Sequence, residues 1–193
     1  MNPQELTKFA ELLHNFALVE RIAHVKGRDV RQNDAEHSYF LPMLAWYLID
    51  ALKLPLQLDR VLQYALVHDL VEVYAGDTYI FDEEARKTKD AREEKSRLRI
   101  AEEFPEFGSL HETILAYEKQ EDEESRFVKQ LDKLEPLIGN YLQEGRTWKE
   151  MNVSFFEIAE NKRKNIHSAK EIRDLLEKFL SEMEARKSDF FLR

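Results

Sequence analysis

The stretch VLQYALVHDLVEVYA, which runs from Val61 to Ala75, is the most apolar segment of the chain. Its apolar side chains recur on every side of a helix with about 3.6 residues per turn, a pattern typical of a helix in the middle of a core. The Leu54-Pro55 pair before it and Gly76 after it favour breaks, because proline restricts the residue before it and glycine often ends a helix. We therefore predict one continuous helix from about Gln57 to Tyr74.

Three ionisable side chains within this segment, those of His68, Asp69 and Glu72, do not suit an apolar core. Burying such groups is costly unless they are paired or bind a metal ion. Glu72 follows both other residues by about one helical turn, so on a helix it faces the same edge. The dipeptide His-Asp by itself is equally explained by a core histidine that is hydrogen-bonded to a neighbouring carboxylate, so other features must decide.

Further polar residues lie where the fold can bring them to this segment. His37 opens a predicted helix after a polar loop, and Asp132 lies in VKQLDKLEP, on a helix whose other face is apolar. Asp77 follows the glycine that ends the predicted central helix. Two histidines and two aspartates from three helices suit one divalent ion: His37, His68, Asp69 and Asp132. The imidazoles favour manganese, cobalt, iron, zinc or nickel over magnesium.

Helix formers dominate the rest of the chain, which has only five glycines and five prolines in 193 residues. No internal repeat, flexible linker or credible strand run is visible. We therefore predict a single all-α domain over residues 1–193, a bundle of about seven to nine helices. Its first helix is predicted from about Pro3 to Ala23, and its second from about Ala35 to Leu52 with Asp34 as the N-cap.

The composition excludes several classes of protein. The chain has no cysteine, which rules out disulfides and thiolate metal sites and fits a reducing cytoplasm. Its formal net charge of −9 disfavours binding to nucleic acid, because an acidic surface repels phosphate backbones. No signal peptide or membrane-spanning stretch is visible, so we expect a cytoplasmic protein without membrane association. A glycine-rich phosphate loop is also missing, which excludes a P-loop NTPase.

The order of these residues resembles the signature of the HD superfamily of metal-dependent phosphohydrolases: a histidine, then His-Asp, then a distant aspartate. The matching segments are DAEHS with His37, LVHDLVEVYAGDT with His68 and Asp69, and QLDKLEP with Asp132. The chain resembles in particular the branch that contains the bacterial 5′-deoxynucleotidase and related uncharacterised HD hydrolases. The resemblance extends from about Arg21 to Tyr141, and the tail TWKE…NK is also similar.

This resemblance implies roles for individual residues. It assigns the divalent ion to the two histidines and two aspartates, with Asp69 as a catalytic ligand. Glu72 would be the acid/base group that acts on the attacking water or on the leaving oxygen, although a role in orienting a ligand histidine also explains it. Arg21 would hold the substrate phosphate, and Asp77 would contact the sugar or orient the nucleotide. Two other cations are alternative phosphate partners that solvent exposure explains equally well: Arg31 and Lys133.

The predicted reaction is hydrolysis of a nucleoside 5′-monophosphate by a metal-activated water, in a homodimer as the resemblance implies. A tryptophan follows the arginine in the deoxynucleotidase and shapes its sugar pocket, whereas Ile22 follows Arg21 here, so the choice between deoxyribose and ribose stays open. Two alternatives are an HD phosphodiesterase and a non-catalytic protein that senses a metal or a nucleotide. A third, a buried network of ion pairs, predicts that removing metal leaves stability unchanged.

Overall fold

The computed structural model describes residues 2–192, and helices dominate it. In chain order the elements are α1 Pro3–Phe16, β1 Glu20–His24, β2 Arg31–Asn33, α2 Asp34–Leu52, α3 Leu58–Val67, α4 Glu72–Ala75, α5 Glu83–Arg86, α6 Lys89–Glu103, α7 Gly108–Lys119, α8 Glu123–Tyr141, α9 Arg146–Glu150, α10 Phe155–Asn165, α11 Lys170–Ala185 and α12 Lys187–Phe190. The all-α prediction is confirmed. Helices of a single turn raise the number in residues 2–192 above the predicted seven to nine.

A short hairpin follows the first helix, where the sequence predicted helix from Pro3 to Ala23. That prediction is wrong, because the buried stripe of α1 ends at Phe16 and the chain then turns. β1 and β2 pair in antiparallel fashion, with Glu20 opposite Asn33, and Gly27 with φ +76° lies in the connection between them. Strand pairing between segments about ten residues apart thus satisfies the backbone groups that a longer helix would have satisfied.

The central apolar segment is not one helix, so the prediction of continuous helix from Gln57 to Tyr74 is wrong. α3 ends at Val67, and the next N–H groups bond to carbonyls three residues earlier rather than four. Leu70 N donates to Val67 O at 3.1 Å, and Glu72 N donates to Asp69 O at 2.8 Å. α4 begins only at Glu72. The tighter turn falls on the two residues that the sequence predicts as neighbouring metal ligands.

The start of α2 is capped by Asn33, not by Asp34 as predicted. The side-chain oxygen of Asn33 accepts the backbone N–H of Glu36 at 2.9 Å, and the Glu36 carboxylate accepts the backbone N–H of Asn33 at 3.0 Å. This reciprocal capping box leaves the Asp34 carboxylate free for another role. Asp34 lies in the first turn of the helix and is fully buried.

Two apolar clusters form the interior. The larger surrounds α8, where Leu134 is fully buried, and includes residues of α2, α3 and α9–α12. The smaller joins α1, α6 and α7 around Ile100. The segment from α3 to α4 contributes to both, because Ala65 belongs to the larger cluster and Leu70 to the smaller. Within residues 2–192, no helix combines the length and apolarity that crossing a membrane would need.

Four aromatic side chains, which we call the aromatic cluster, close the larger core: Tyr141, Trp148, Phe190 and Phe191. Phe191 stacks on Trp148 with 5.1 Å between ring centroids, and Phe190 stacks on Tyr141 at 5.2 Å. Gly145 has φ +72° and passes so close to the backbone of Phe190 that a Cβ atom would overlap its carbonyl oxygen. Only glycine fits this position without displacing the cluster.

Candidate metal centre

The four predicted ligands come from three parts of the fold and meet at one point. His37 lies in the first turn of α2, His68 and Asp69 lie in the tight turn after α3, and Asp132 lies in the middle of α8. One ligand atom from each lies within 4.8 Å of the others. The two imidazoles are buried, whereas the two carboxylates keep 16% and 19% of their side-chain surface exposed. The cluster is therefore closed on the imidazole side and open on the carboxylate side.

The imidazole nitrogens of the cluster lie within 4 Å of its carboxylate oxygens. Nε2 of His37 lies 3.1 Å from Oδ1 of Asp132 and 3.7 Å from Oδ2 of Asp69. Nε2 of His68 lies 3.0 Å from the same Asp69 oxygen and 3.7 Å from the Asp132 oxygen. Both imidazoles therefore present the same nitrogen to the same pair of carboxylates.

The second nitrogen of each imidazole is held by a partner outside the cluster. Nδ1 of His68 lies 2.8 Å from the carbonyl oxygen of Ala65, and Nδ1 of His37 lies 3.0 Å from Oε2 of Glu135 on α8. These contacts fix the ring orientations and direct Nε2 inward, as is usual for metal-binding histidines. Glu135 was not predicted from the sequence, although its place one turn after Asp132 on the same helix face is a usable signal.

Protonation in the cluster follows from burial and from the charges at short range. Burial and the Arg21 charge lower the pKa of His37, but hydrogen bonds to Asp132 and Glu135 outweigh them and raise it to about 9. Burial raises the pKa of Asp69, yet the neighbouring His68, followed by Arg21 and His37, holds it well below its usual range. The pKa of Asp132 is also lowered against the effect of burial, first by its hydrogen bond with His37. Both carboxylates are therefore ionised at neutral pH.

The donor set fits a divalent cation. Among residues 2–192, Nε2 of His68 has no hydrogen-bond partner although it is buried, since its approach to Asp69 lacks hydrogen-bond geometry. An orphaned imidazole nitrogen beside two ionised carboxylates is costly in a protein interior unless a cation binds there. Nitrogen and oxygen donors together suit a borderline transition metal.

Glu72 lies beside the cluster rather than in it. Its side chain is buried, Oε1 lies 3.6 Å from Nζ of Lys89 on α6, and Oε2 has no hydrogen-bond partner among residues 2–192. Burial, followed by the charges of Asp69 and Asp34, raises the pKa of Glu72 well above its usual range. A carboxyl group in this state can hold a proton at neutral pH and release it when a cation approaches.

Arg21 lies in the cleft, but carboxylates already contact it. Its Nη1 atom donates to Oδ1 of Asp34 at 3.0 Å and to Oδ2 of Asp69 at 2.9 Å. Burial raises the pKa of Asp34 to about 6 against the opposing charge of Arg21. This role of Asp34 was not predicted from the sequence, because its position beside a helix start is equally typical of a cap. Arg21 thus links a candidate ligand to the first turn of α2.

The cluster opens into a cleft of about 250 Å³. Asp77, Glu72, Arg21 and Lys133 line it, so the structure brings these predicted site residues together. Four cationic residues that line the cleft were not predicted from the sequence: Arg86, Lys89, Lys129 and Lys162.

Arg31 and Ile22 lie elsewhere in the structure. Arg31 lies on β2, where its Nη2 atom is 3.3 Å from Oε2 of Glu150, and it is not among the residues that line the cleft. Ile22 lies on β1 and does not line the cleft either. A second groove of about 430 Å³ between β1, α2 and α8 is mostly apolar and holds none of the predicted site residues.

Comparison with known proteins places these motifs in a family. A family model described as HD domain matches residues 18–175. The Mus musculus protein named 5′-deoxynucleotidase HDDC2 is 32% identical over 136 residues, which cover 69% of this chain and 67% of that protein. The Homo sapiens protein of the same name is 32% identical over 139 residues, which cover 70% of this chain and 66% of the human protein. The chain thus spans about two thirds of the length of these relatives.

Two solved structures share the fold. A protein described as a predicted metal-dependent phosphohydrolase from Magnetospirillum magnetotacticum superposes with a TM-score of 0.82 at 28% identity, over 97% of this chain and 94% of that one. A conserved hypothetical protein from Pyrococcus furiosus superposes with a TM-score of 0.66 at 23% identity, over 90% of this chain and 98% of that one. The second likeness concerns the fold alone.

Proposed function

Because this chain belongs to the HD domain family, we propose that it is a metal-dependent phosphohydrolase that releases phosphate from nucleoside 5′-monophosphates. The observation that carries the proposal is the cluster of two imidazoles and two carboxylates at the edge of a cleft. The relatives named 5′-deoxynucleotidases and the solved protein described as a metal-dependent phosphohydrolase support the reaction class.

His37, His68, Asp69 and Asp132 are the side chains that would hold the ion in this proposal. When bound, a divalent ion would polarise a phosphoryl oxygen and lower the pKa of a water molecule. The mixed nitrogen and oxygen donors favour manganese, cobalt, iron, zinc or nickel, and magnesium less. Glu135 and the Ala65 carbonyl keep the two imidazoles in orientation throughout the reaction.

Glu72 is the group proposed to move the proton. Its buried carboxyl has a raised pKa and one oxygen without a partner in residues 2–192, so it can take a proton from the attacking water or give one to the leaving oxygen. Lys89 limits this shift, because its ammonium group lies 3.6 Å from the other Glu72 oxygen. Burial opposes the charge of Lys89, but Glu72 and Glu93 raise the pKa of this lysine, so it stays cationic.

The remaining residues of the cleft are proposed to bind the nucleotide. An arginine has five N–H donors, so the contacts of Arg21 Nη1 leave other donors for a phosphate oxygen. Asp77 lines the cleft and can accept a hydrogen bond from a sugar hydroxyl. Ile80 and Pro136 give the same cleft an apolar wall that suits a base or a deoxyribose ring.

A phosphate-release assay tests the proposal. Metal-free protein would be reloaded with manganese, cobalt, zinc or magnesium and given ribo- and deoxyribonucleoside 5′-monophosphates. We expect metal-dependent release, and a loss of about 10²- to 10⁴-fold in kcat for Glu72→Gln, the range for a general acid or base. Glu160→Gln on the exposed side of α10 is the matched control. Nucleotide binding without release under any of these metals would instead identify a sensor.

A homodimer is the proposed assembly, supported by an exposed aromatic face on α2. Tyr39, Met43, Trp46 and Tyr47 recur at helical spacing, and Trp46 and Tyr47 are 50% and 69% exposed. Monomeric proteins rarely expose contiguous apolar patches of this kind, and aromatic residues are enriched at interfaces. Light scattering coupled to size exclusion should give twice the chain mass, and Trp46→Glu should halve it; a monomer at micromolar concentration would contradict the proposal.

A further inference from the structure

Lys162 on α10 is a buried lysine that forms no ion pair with any carboxylate of residues 2–192. The residue is only 5% exposed, and its Nζ atom donates one hydrogen bond, at 2.5 Å, to the carbonyl oxygen of Lys133. Among residues 2–192 no carboxylate oxygen lies within 4.0 Å of this Nζ atom. A buried ammonium group without a carboxylate partner is rare, because removing it from water costs several kcal/mol.

Lys89 in the same cleft is a lysine whose charge is neutralised by nearby carboxylates. Its Nζ atom lies 3.2 Å from Glu93 and 3.6 Å from Glu72. Burial lowers the pKa of Lys162 to about 8 despite the charges of Asp132 and Glu135, whereas the carboxylates around Lys89 raise its pKa. Carboxylates of the fold therefore stabilise the ammonium group of Lys89, whereas the ammonium group of Lys162 has no anionic partner within residues 2–192.

Lys133 extends this arrangement towards the candidate metal centre. It follows Asp132 on α8, and its own Nζ atom donates to the carbonyl oxygen of Asn165 at 3.3 Å. No carboxylate within residues 2–192 lies within ion-pair distance of it. The two lysines thus bond to each other's helices, and both side chains line the cleft that holds Asp132.

A phosphate group entering this cleft meets carboxylates as well as cations, and two of the cations, Arg21 and Lys89, are already ion-paired with carboxylates. Four carboxylates line it, those of Asp69, Glu72, Asp77 and Asp132, and the positive charge of Arg21 is already shared between two carboxylates. A dianionic phosphate therefore needs further cations on the cleft wall to offset that repulsion. Three lysines on the wall formed by α8 and α10, Lys129, Lys133 and Lys162, form no ion pair with a carboxylate within residues 2–192, and Lys162 is the most buried of them.

We propose that Lys162, together with Lys133, binds the phosphate group of the substrate from the wall of the cleft that α8 and α10 form. This inference rests on the proposed hydrolysis of phosphomonoesters and adds α10 to the substrate-binding residues. Lys162 donates to a phosphate oxygen with the protons that the Lys133 carbonyl does not use. The hydrogen bond to that carbonyl keeps the ammonium group in place before the substrate arrives.

Calorimetric titration of the manganese-loaded full chain with inorganic phosphate tests the inference without requiring turnover. Lys162→Met keeps the length and burial of the side chain and removes its charge. We expect phosphate affinity to fall roughly 10- to 100-fold, the range for a hydrogen bond to a charged group. Lys164→Met, an exposed lysine on the same helix, should leave the affinity unchanged.

Lys133→Met serves as a second variant, and it should also weaken phosphate binding. Thermal unfolding of each variant separates this effect from a structural one, because a lysine that only ties α10 to α8 would lower Tm without changing phosphate affinity. Unchanged affinity in Lys162→Met, or no phosphate binding by the unaltered protein, overturns the inference. Phosphate binding that depends on Lys162 in a protein inactive towards nucleotides would instead refute the proposed function and support the inference.

Discussion

The cleft and the aromatic cluster are both buried, but their polar atoms are arranged in opposite ways. In the cleft or directly beside it, three buried atoms have no hydrogen-bond partner within residues 2–192: Nε2 of His68, Oε2 of Glu72 and Oδ2 of Asp34. Around the aromatic cluster the buried surface is mostly ring against ring, and the backbone N–H of Gly145 bonds to the Asn140 carbonyl at 2.8 Å. The hydroxyl of Thr147 is the exception there.

This difference separates what stabilises the fold from what the fold can bind. Apolar packing lowers the free energy of the folded state without any ligand, whereas orphaned polar atoms raise it until a ligand satisfies them. Substitutions in the cleft should therefore act on binding and turnover. Substitutions in the aromatic cluster should act on the free energy of unfolding, and each of the following predictions tests that separation.

Asp132→Asn should have the largest effect, on metal binding and activity but not on the stability of the metal-free protein. Losing one ionised ligand should weaken metal binding and lower kcat/KM by about 10³-fold or more, since a bound metal supplies several kcal/mol of transition-state stabilisation. Turnover with saturating manganese and urea unfolding of the metal-free protein would be measured together. Asp174→Asn at a half-exposed carboxylate is the control. A metal-free protein that unfolds far more easily after Asp132→Asn would contradict the separation.

Gly145→Ala should have the converse effect, on stability alone. The new Cβ must displace the backbone of Phe190 and the rings stacked around it, which should cost about 1–3 kcal/mol, the range for overpacking a core, and the positive φ of residue 145 adds to that cost. Urea unfolding measures the change, and activity per folded molecule should stay the same. Gly139→Ala is the control, because a Cβ atom at this position meets nothing within 4 Å. This substitution should stabilise α8 by about 0.5–1 kcal/mol. Equal effects of the two substitutions would show that the close contact does not matter.

Glu135→Gln should have an intermediate effect, confined to metal affinity. Its carboxylate accepts from Nδ1 of His37 and is itself buried. Replacing such a partner usually lowers metal affinity by about 10- to 100-fold. Competition with a chelating dye measures the change, and Glu121→Gln on an exposed residue is the control. An unaltered dissociation constant would mean that the ring of His37 is held by its packing alone.

A change of one pH unit should have the smallest of these effects, and it should act on metal affinity. Because the metal-free protein holds the pKa of His37 at about 9, its imidazole is protonated at neutral pH and must lose that proton to bind a cation. Metal affinity should therefore rise by up to about tenfold per pH unit as the pH increases from 6.5 to 8.5, and level off near 9. Dissociation constants at three pH values would measure it. A flat profile would show that His37 is already neutral.

The sequence predicted the members of the cluster better than the backbone that carries them. Ionisable residues in an apolar segment are a strong signal, and the structure brings His37, His68, Asp69 and Asp132 together. That they bind a metal stays a prediction. The break after Val67 and the hairpin after Phe16 depend on contacts between distant segments, which a local pattern of hydrophobicity does not contain.

The residues that support the site were harder to predict because each has an ordinary local explanation. Asp34 looks like a helix cap, and Lys162 lies in NKRKN, which looks like a basic surface segment. Burial distinguishes them, and burial depends on how α10 and α2 pack against α8. Glu135 is the one member of this group that its spacing from Asp132 could have indicated.

The tight turn between α3 and α4 lies where the two apolar clusters meet, and this has a consequence for how the molecule opens. Without a ligand, two buried polar atoms of the turn, Nε2 of His68 and Oε2 of Glu72, have no hydrogen-bond partner within residues 2–192, which weakens the contact between the clusters. The smaller cluster should therefore exchange its amide hydrogens faster than the larger. A bound cation would add attraction to groups on α2, α8 and the turn. Amide exchange in α1 and α6 should then slow towards that of α8, and the two subglobal openings should merge into one cooperative unit.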